Sequence, residues 1–144
     1  MAVYYSNELQ GIDSSPAVKA NASAGYNAPL RVYRATVPMI AGAYQTTDTL
    51  TLAKIPSGSI FAFGIINASA TMGASATLAI GNASSTGKYR AAATFTTANT
   101  PTLFGLSASN AAASTAEEVV IVTIAVAALP TSGTLNIDLY FIAP

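Results

Sequence analysis

Six cations (Lys19, Arg31, Arg34, Lys54, Lys88, Arg90) and six anions (Glu8, Asp13, Asp48, Glu117, Glu118, Asp138) are the chain's whole stock of formal charge. Histidine and cysteine are both absent. That removes the usual general base, the commonest metal ligand and every Ser–His or Cys–His arrangement. Zinc sites of standard type go with them, so no cofactor or metal is expected. Paired carboxylates remain as a route to glycoside hydrolysis. Glu117 and Glu118 are adjacent, however, and adjacent residues of a strand point to opposite faces. They are expected at a solvated loop end, and no catalytic residue is assigned.

Two short stretches interleave cations with an aromatic ring: Arg31-Val-Tyr33-Arg34 and Lys88-Tyr89-Arg90. In so charge-poor a chain they are candidate contacts to a partner. The run Gly81-Asn-Ala-Ser-Ser-Thr-Gly87-Lys88 has the glycines and lysine of a phosphate loop, but Tyr89 stands where that loop needs Ser or Thr. It is expected to be a hairpin turn. Asp48 reads as a turn or strand-edge residue. Asp138 is placed to pair with Arg34 or Arg90, as a charge protecting an edge strand.

The elements that must carry these residues are short strands. Hydrophobic residues make up 51% of the 144-residue chain and charged ones 8%, against about 25% charged in ordinary soluble domains. Strand candidates run over 30–37, 49–55, 59–66, 76–80, 88–95, 102–104, 118–127 and 134–142, separated by Gly, Pro, Asn and Ser turns. The last alternates cleanly, with Leu135, Ile137, Leu139 and Phe141 on one face. In 118–127 both faces are apolar, and its β-branched residues favour a central strand over a helix. The Ala/Ser-rich stretch 107–116 reads as a loop with at most one helical turn. The expected fold class is all-β: an antiparallel β-sandwich or jelly-roll-like domain over 30–144, with an extended N-terminal arm over 1–29.

The arm has no sustained period and holds isolated apolar points. Tyr4, Tyr5, Leu9 and Tyr26 in it, with Arg31, Arg34, Lys88, Tyr89 and Arg90, are the expected interface residues. A net charge of zero argues against a nucleic-acid partner, which wants a basic excess. The longest apolar stretch, 119–129, is too short for a membrane helix. A small-residue core stabilises an isolated subunit thinly, so a homo-oligomer is expected.

The runs Leu30-Arg-Val-Tyr-Arg-Ala-Thr36, Asp48-Thr-Leu-Thr-Leu-Ala-Lys-Ile-Pro-Ser-Gly58 and Thr77-Leu-Ala-Ile-Gly-Asn-Ala-Ser-Ser-Thr-Gly-Lys-Tyr-Arg-Ala-Ala-Ala93 resemble small virion structural proteins of tailed bacteriophages, most of all capsid cement (decoration) proteins. The resemblance implies a trimeric β-sandwich subunit on the capsid exterior, bound to the major capsid protein and bridging capsomers. A tail, baseplate or fibre-associated subunit is an alternative. So is a carbohydrate-binding β-sandwich offering Tyr33, Tyr44, Tyr89 and Tyr140 as stacking surfaces.

Overall fold

The computed structural model describes residues 28–110 and 112–144. Eight strands form: β1 (Leu30–Pro38), β2 (Thr49–Ile55), β3 (Ile60–Ala68), β4 (Thr77–Gly81), β5 (Arg90–Thr94), β6 (Thr102–Phe104), β7 (Glu118–Ala125) and β8 (Thr134–Ile142). One 3-10 turn, Ser107–Asn110, interrupts the loop before β7. The strands make two four-stranded antiparallel sheets, ordered β1-β8-β3-β6 (sheet A) and β2-β7-β4-β5 (sheet B). β1 pairs with β8, β2 with β7, β3 with β6 and β4 with β5. That is the pairing of one long hairpin, folded at β4–β5 and wrapped on itself.

The core follows from period-two patterning. Leu135, Ile137, Leu139 and Phe141 point inward from β8 and are at most 2% exposed. Val120, Val122 and Ile124 meet them from β7, fully buried, although the alternate β7 residues Val119, Ile121 and Ala125 are only partly covered. Burying each large aliphatic side chain contributes about 1.5–3 kcal/mol. Phe61 sits at the centre of an aromatic cluster, with ring centroids 4.4 Å from Tyr89, 5.3 Å from Phe141 and 6.4 Å from Phe104. Gly64 on β3 is required by this packing: a Cβ there would stand inside the Phe104 ring.

Most strand bounds lie within a residue or two of the sequence-based expectation. β5 starts later than expected, because Lys88 and Tyr89 are used by the preceding turn. In that turn Asn82 Oδ1 accepts from the Ser84 and Ser85 amides, and Tyr89 N donates to Ile80 O. The expected edge position of Asp138 is corrected: β8 lies between β1 and β3. β1 pairs along one side of β8 and β3 along the other, so the backbone groups of β8 are hydrogen-bonded on both sides.

Antiparallel alternation sorts the loops into two ends. Loops 39–48, 69–76, 95–101 and 126–133 share one end, tied by Met39 N to Gly133 O, Met72 N to Phe95 O, Asn99 N to Ala68 O and Leu129 N to Tyr44 O. Loops 56–59, 82–89 and 105–117 share the other, with Gly58 N donating to Ser114 O and Ser114 N to Ser59 O. Pro29 and Ala143 also lie there, joined by a hydrogen bond from Ala143 N to Pro29 O.

Candidate functional site

Each of the two sheets brings together charges that are far apart in sequence. At the end where Pro29 and Ala143 meet, Glu118 opens β7 opposite the 82–89 turn. Its Oε2 accepts from Lys88 Nζ at 2.5 Å and its Oε1 from the Tyr89 hydroxyl at 2.6 Å. The Glu118 side chain is 11% exposed. Desolvation by burial works to raise its pKa, but the hydrogen bonds from Lys88 and Tyr89 outweigh it and hold the carboxyl below its usual value. Burial, and then the bond to Glu118, push the Tyr89 phenol upward. Lys88 Nζ also stands 5.1 Å from the Tyr89 ring centroid. The expectation of a solvated loop end is therefore corrected for Glu118: it is the acceptor that holds the turn to the sandwich. Lys88 and Glu118 also help line a cleft of about 420 Å³ with Asn82, Ser109 and Ser114.

On sheet A, Arg34 of β1 faces Asp138 of β8 in register. Nε and Nη2 donate to the two carboxylate oxygens, each at 2.7 Å. The hydrogen bond to Asp138 raises the Arg34 pKa, although the Arg34 side chain is 70% exposed. The pair sits within a graded outer face whose rows cross the sheet. Thr36, Asn136 and Asn67 form an amide-rich row; Arg34, Asp138, Ile65 and Leu103 follow; then come Val32, Tyr140 and Phe63; then Leu30, Ile142 and Ile60. Thr36, Asn67, Asn136, Asp138 and Tyr140 help line a cleft of about 470 Å³. Asn67 Oδ1 in this cleft is buried and has no hydrogen-bond partner among the described residues. An N–H or O–H from outside would satisfy it, and leaving such an atom unpaired costs about 1–3 kcal/mol.

The remaining expected interface residues fall in different places. Arg31 is exposed on β1. Tyr89 is 2% exposed, with its ring in the core. Arg90 turns back on its own hairpin, donating to the carbonyls of Leu78, Ala93 and Thr94; burial lowers its pKa. Tyr4, Tyr5, Leu9 and Tyr26, and the arm apart from residues 28 and 29, lie outside the described residues. The rings considered for carbohydrate stacking have partners within the chain: Tyr33 meets Phe141 edge-on at 5.9 Å and Tyr140 stacks on Phe63 at 4.3 Å, while Tyr44 packs against the core. Among the described residues, no three carboxylates gather as a metal site. Glu118 and the Asn67 cleft escaped the sequence reading because both depend on pairings across the sandwich.

Chains from two phage capsids have this architecture. A chain of the cyanophage Pam1 capsid asymmetric unit is 21% identical, with a TM-score of 0.64, over 92% of this chain and 97% of that one. A chain of the capsid of Ralstonia phage GP4 is 17% identical, with a TM-score of 0.62, over 96% of each chain. What the three share is the fold. No protein-family model and no curated protein matches the sequence.

Proposed function

We propose that this chain is a structural subunit of a phage capsid, and more narrowly a cement protein that binds the outer surface of the head and stabilises contacts between capsomers. The observation that carries the reading is likeness over nearly the full length of both chains to subunits found in two phage capsids. The likeness covers 92% and 96% of this chain and 97% and 96% of the two matched chains. The strand order supports the finer description of a jelly roll, an eight-stranded double sheet. Charge neutrality and the sequestering of Glu118, Lys88 and Tyr89 in a structural clasp support a passive brace over a reacting centre.

In this reading residues 1–29 fasten the subunit to the major capsid protein, and copies associate, as a trimer, around the sites where capsomers meet. Binding of this kind stabilises a shell by mass action, since the partner binds the assembled state and not the dissociated one. Quantitative mass spectrometry of purified particles separated into heads and tails tests it. The expected result is enrichment with heads at a copy number approaching that of the major capsid protein. Enrichment with tails, or a handful of copies per particle, overturns the cement role.

A further inference from the structure

Strands β1, β6, β2 and β5 are the edges of the two sheets. Three of them carry features that keep an edge from accepting another chain. β6 is three residues long. β2 meets β7 through a register shift between Thr51 and Ala53. β5 has five residues and a register shift against β4 between Leu78 and Ile80. β1 has neither protection: its nine residues run in one unbroken register with β8, from Leu30 opposite Ile142 to Pro38 opposite Thr134.

The hydrogen bonds just beyond each end of β1 fix which backbone groups face outward. Ala143 N donates to Pro29 O and Met39 N to Gly133 O, so the odd-numbered residues of β1 bond to β8. Successive residues of an antiparallel strand bond to opposite sides. The N–H and C=O groups of Leu30, Val32, Arg34 and Thr36 therefore point away from β8, on the side where β1 has no neighbouring strand. Pro38 has the same parity, and its missing N–H falls on that open side, where proline is tolerated. These groups repeat about every 6.6 Å, the spacing of the main chain of an extended polypeptide.

Incompletely covered apolar side chains border the open edge on both faces. Leu30 (51% exposed) and Val32 (52%) stand on the outer face of sheet A. On the inner side the partly buried hydrophobic residues packed against the core, Ala127 apart, are Tyr33, Val37, Tyr44, Leu50, Leu52 and Ala53. All six come from β1, β2 or the loop joining them. Charge gives this edge a direction. Arg31 and Lys54 are exposed at the ends of β1 and β2 nearest Pro29, and neither is in an ion pair among the described residues.

We propose that the open edge of β1 accepts an added strand: an extended segment of a different polypeptide, with alternating apolar side chains and an acidic residue toward the Pro29 end. That the donor is another protein of the particle rests on the capsid reading. Main-chain hydrogen bonds supply affinity, and the side chains laid over Leu30 and Val32 supply specificity. A second copy of β1 fits poorly, because full antiparallel overlap sets Arg34 opposite Arg34, and like charges directly opposite are destabilising. A hairpin made by the chain's own preceding residues fits poorly too. Residues 18–27, Val-Lys-Ala-Asn-Ala-Ser-Ala-Gly-Tyr-Asn, are rich in Ala, Asn and Gly, which strands disfavour, and they hold Lys19 and no acid.

The test is hydrogen exchange of the full chain, resolved to single amides, measured free over a concentration series and bound to purified particles. In the free chain the amides of Tyr33, Ala35 and Val37 are expected to be protected and those of Leu30, Val32, Arg34 and Thr36 to exchange freely. On particles the second set is expected to slow by about tenfold or more. Val32→Pro removes an open-side N–H and leaves the ladder to β8 intact. It is expected to lower the melting temperature far less than Ala35→Pro, yet to reduce the amount bound to particles by about tenfold. Arg31→Glu is expected to weaken binding, and Arg31→Lys to retain it. Open-side amides already protected in the free chain overturn the proposal: protection independent of concentration assigns the edge to the chain's own residues, and protection that rises with concentration assigns it to a second copy. Normal binding by a folded Val32→Pro variant also overturns it; if that variant does not fold, the exchange pattern of the wild type decides. A particle-bound subunit whose open-side amides still exchange freely overturns the added strand and leaves the capsid reading intact. A chain absent from particles overturns both.

Discussion

The two ends of the sandwich hold their loops by opposite means. At the end where Pro29 and Ala143 meet, loop 82–89 is fixed by Lys88 and Tyr89 on Glu118, and Ser114 bridges loops 56–59 and 105–117 through its backbone and its hydroxyl. Side-chain contacts share the holding with the Ser114 backbone bonds, and no described non-glycine residue there has positive φ. At the other end backbone hydrogen bonds tie four loops whose residues include all the non-glycine positive-φ positions described, and Ile40 and Val126 stand exposed. One end is stabilised within the subunit. The other is held in shape at a cost in backbone strain.

The largest effect that would break this contrast is at the clasp. Glu118→Ala leaves the Tyr89 hydroxyl unpaired in a buried site and Lys88 without its counter-ion. It is expected to cost about 3 kcal/mol in chemical denaturation, while Glu117→Ala, exposed one residue earlier, is close to neutral. A cost near zero for both would remove the clasp from the account. Tyr89→Phe keeps the ring in the core and removes one hydrogen bond to a carboxylate, for an expected loss of about 1.5 kcal/mol. At the loop end the sign reverses. Val126→Gly is expected to stabilise the subunit by about 1 kcal/mol, net of glycine's greater freedom when unfolded, and to raise the melting temperature by about 4 °C. A destabilised Val126→Gly would mean that the turn is not strained.

The smallest expected effect is in acid. The folded carboxyl of Glu118 is held below its usual value, so the unfolded chain binds the proton more readily. Its contribution is complete above the unfolded value of about 4.3 and is lost as pH falls through the lower folded value. Wild type should therefore lose stability over that window, and Glu118→Gln should show a flatter profile below pH ~4.3. Parallel profiles would assign the acid sensitivity to another group.

Much of the fold was legible in the sequence because strand periodicity and turn chemistry are local. β2, β6 and β8 have the bounds expected, and the 107–116 connector contains the single helical turn allowed for it. Asp138 with Arg34 was legible as one of two pairings; its position on an interior strand was not, because strand order is non-local. Tyr89 looked like an exposed aromatic between two cations, yet it ends in the core because the turn before it consumes two more residues than expected. Val126 carried no signal at all. It closes an apolar run that reads as continuous strand, and its positive φ arises from the way β7 must leave the sheet to meet loop 39–48.

The proposed role as a brace on the outside of a phage head is tested most directly by a reconstruction of the intact particle by electron cryomicroscopy. The account predicts eight-stranded subunits on the exterior where capsomers meet, with residues 1–29 in contact with the major capsid protein. A head without such density, or the same subunit found only in the tail, would contradict it.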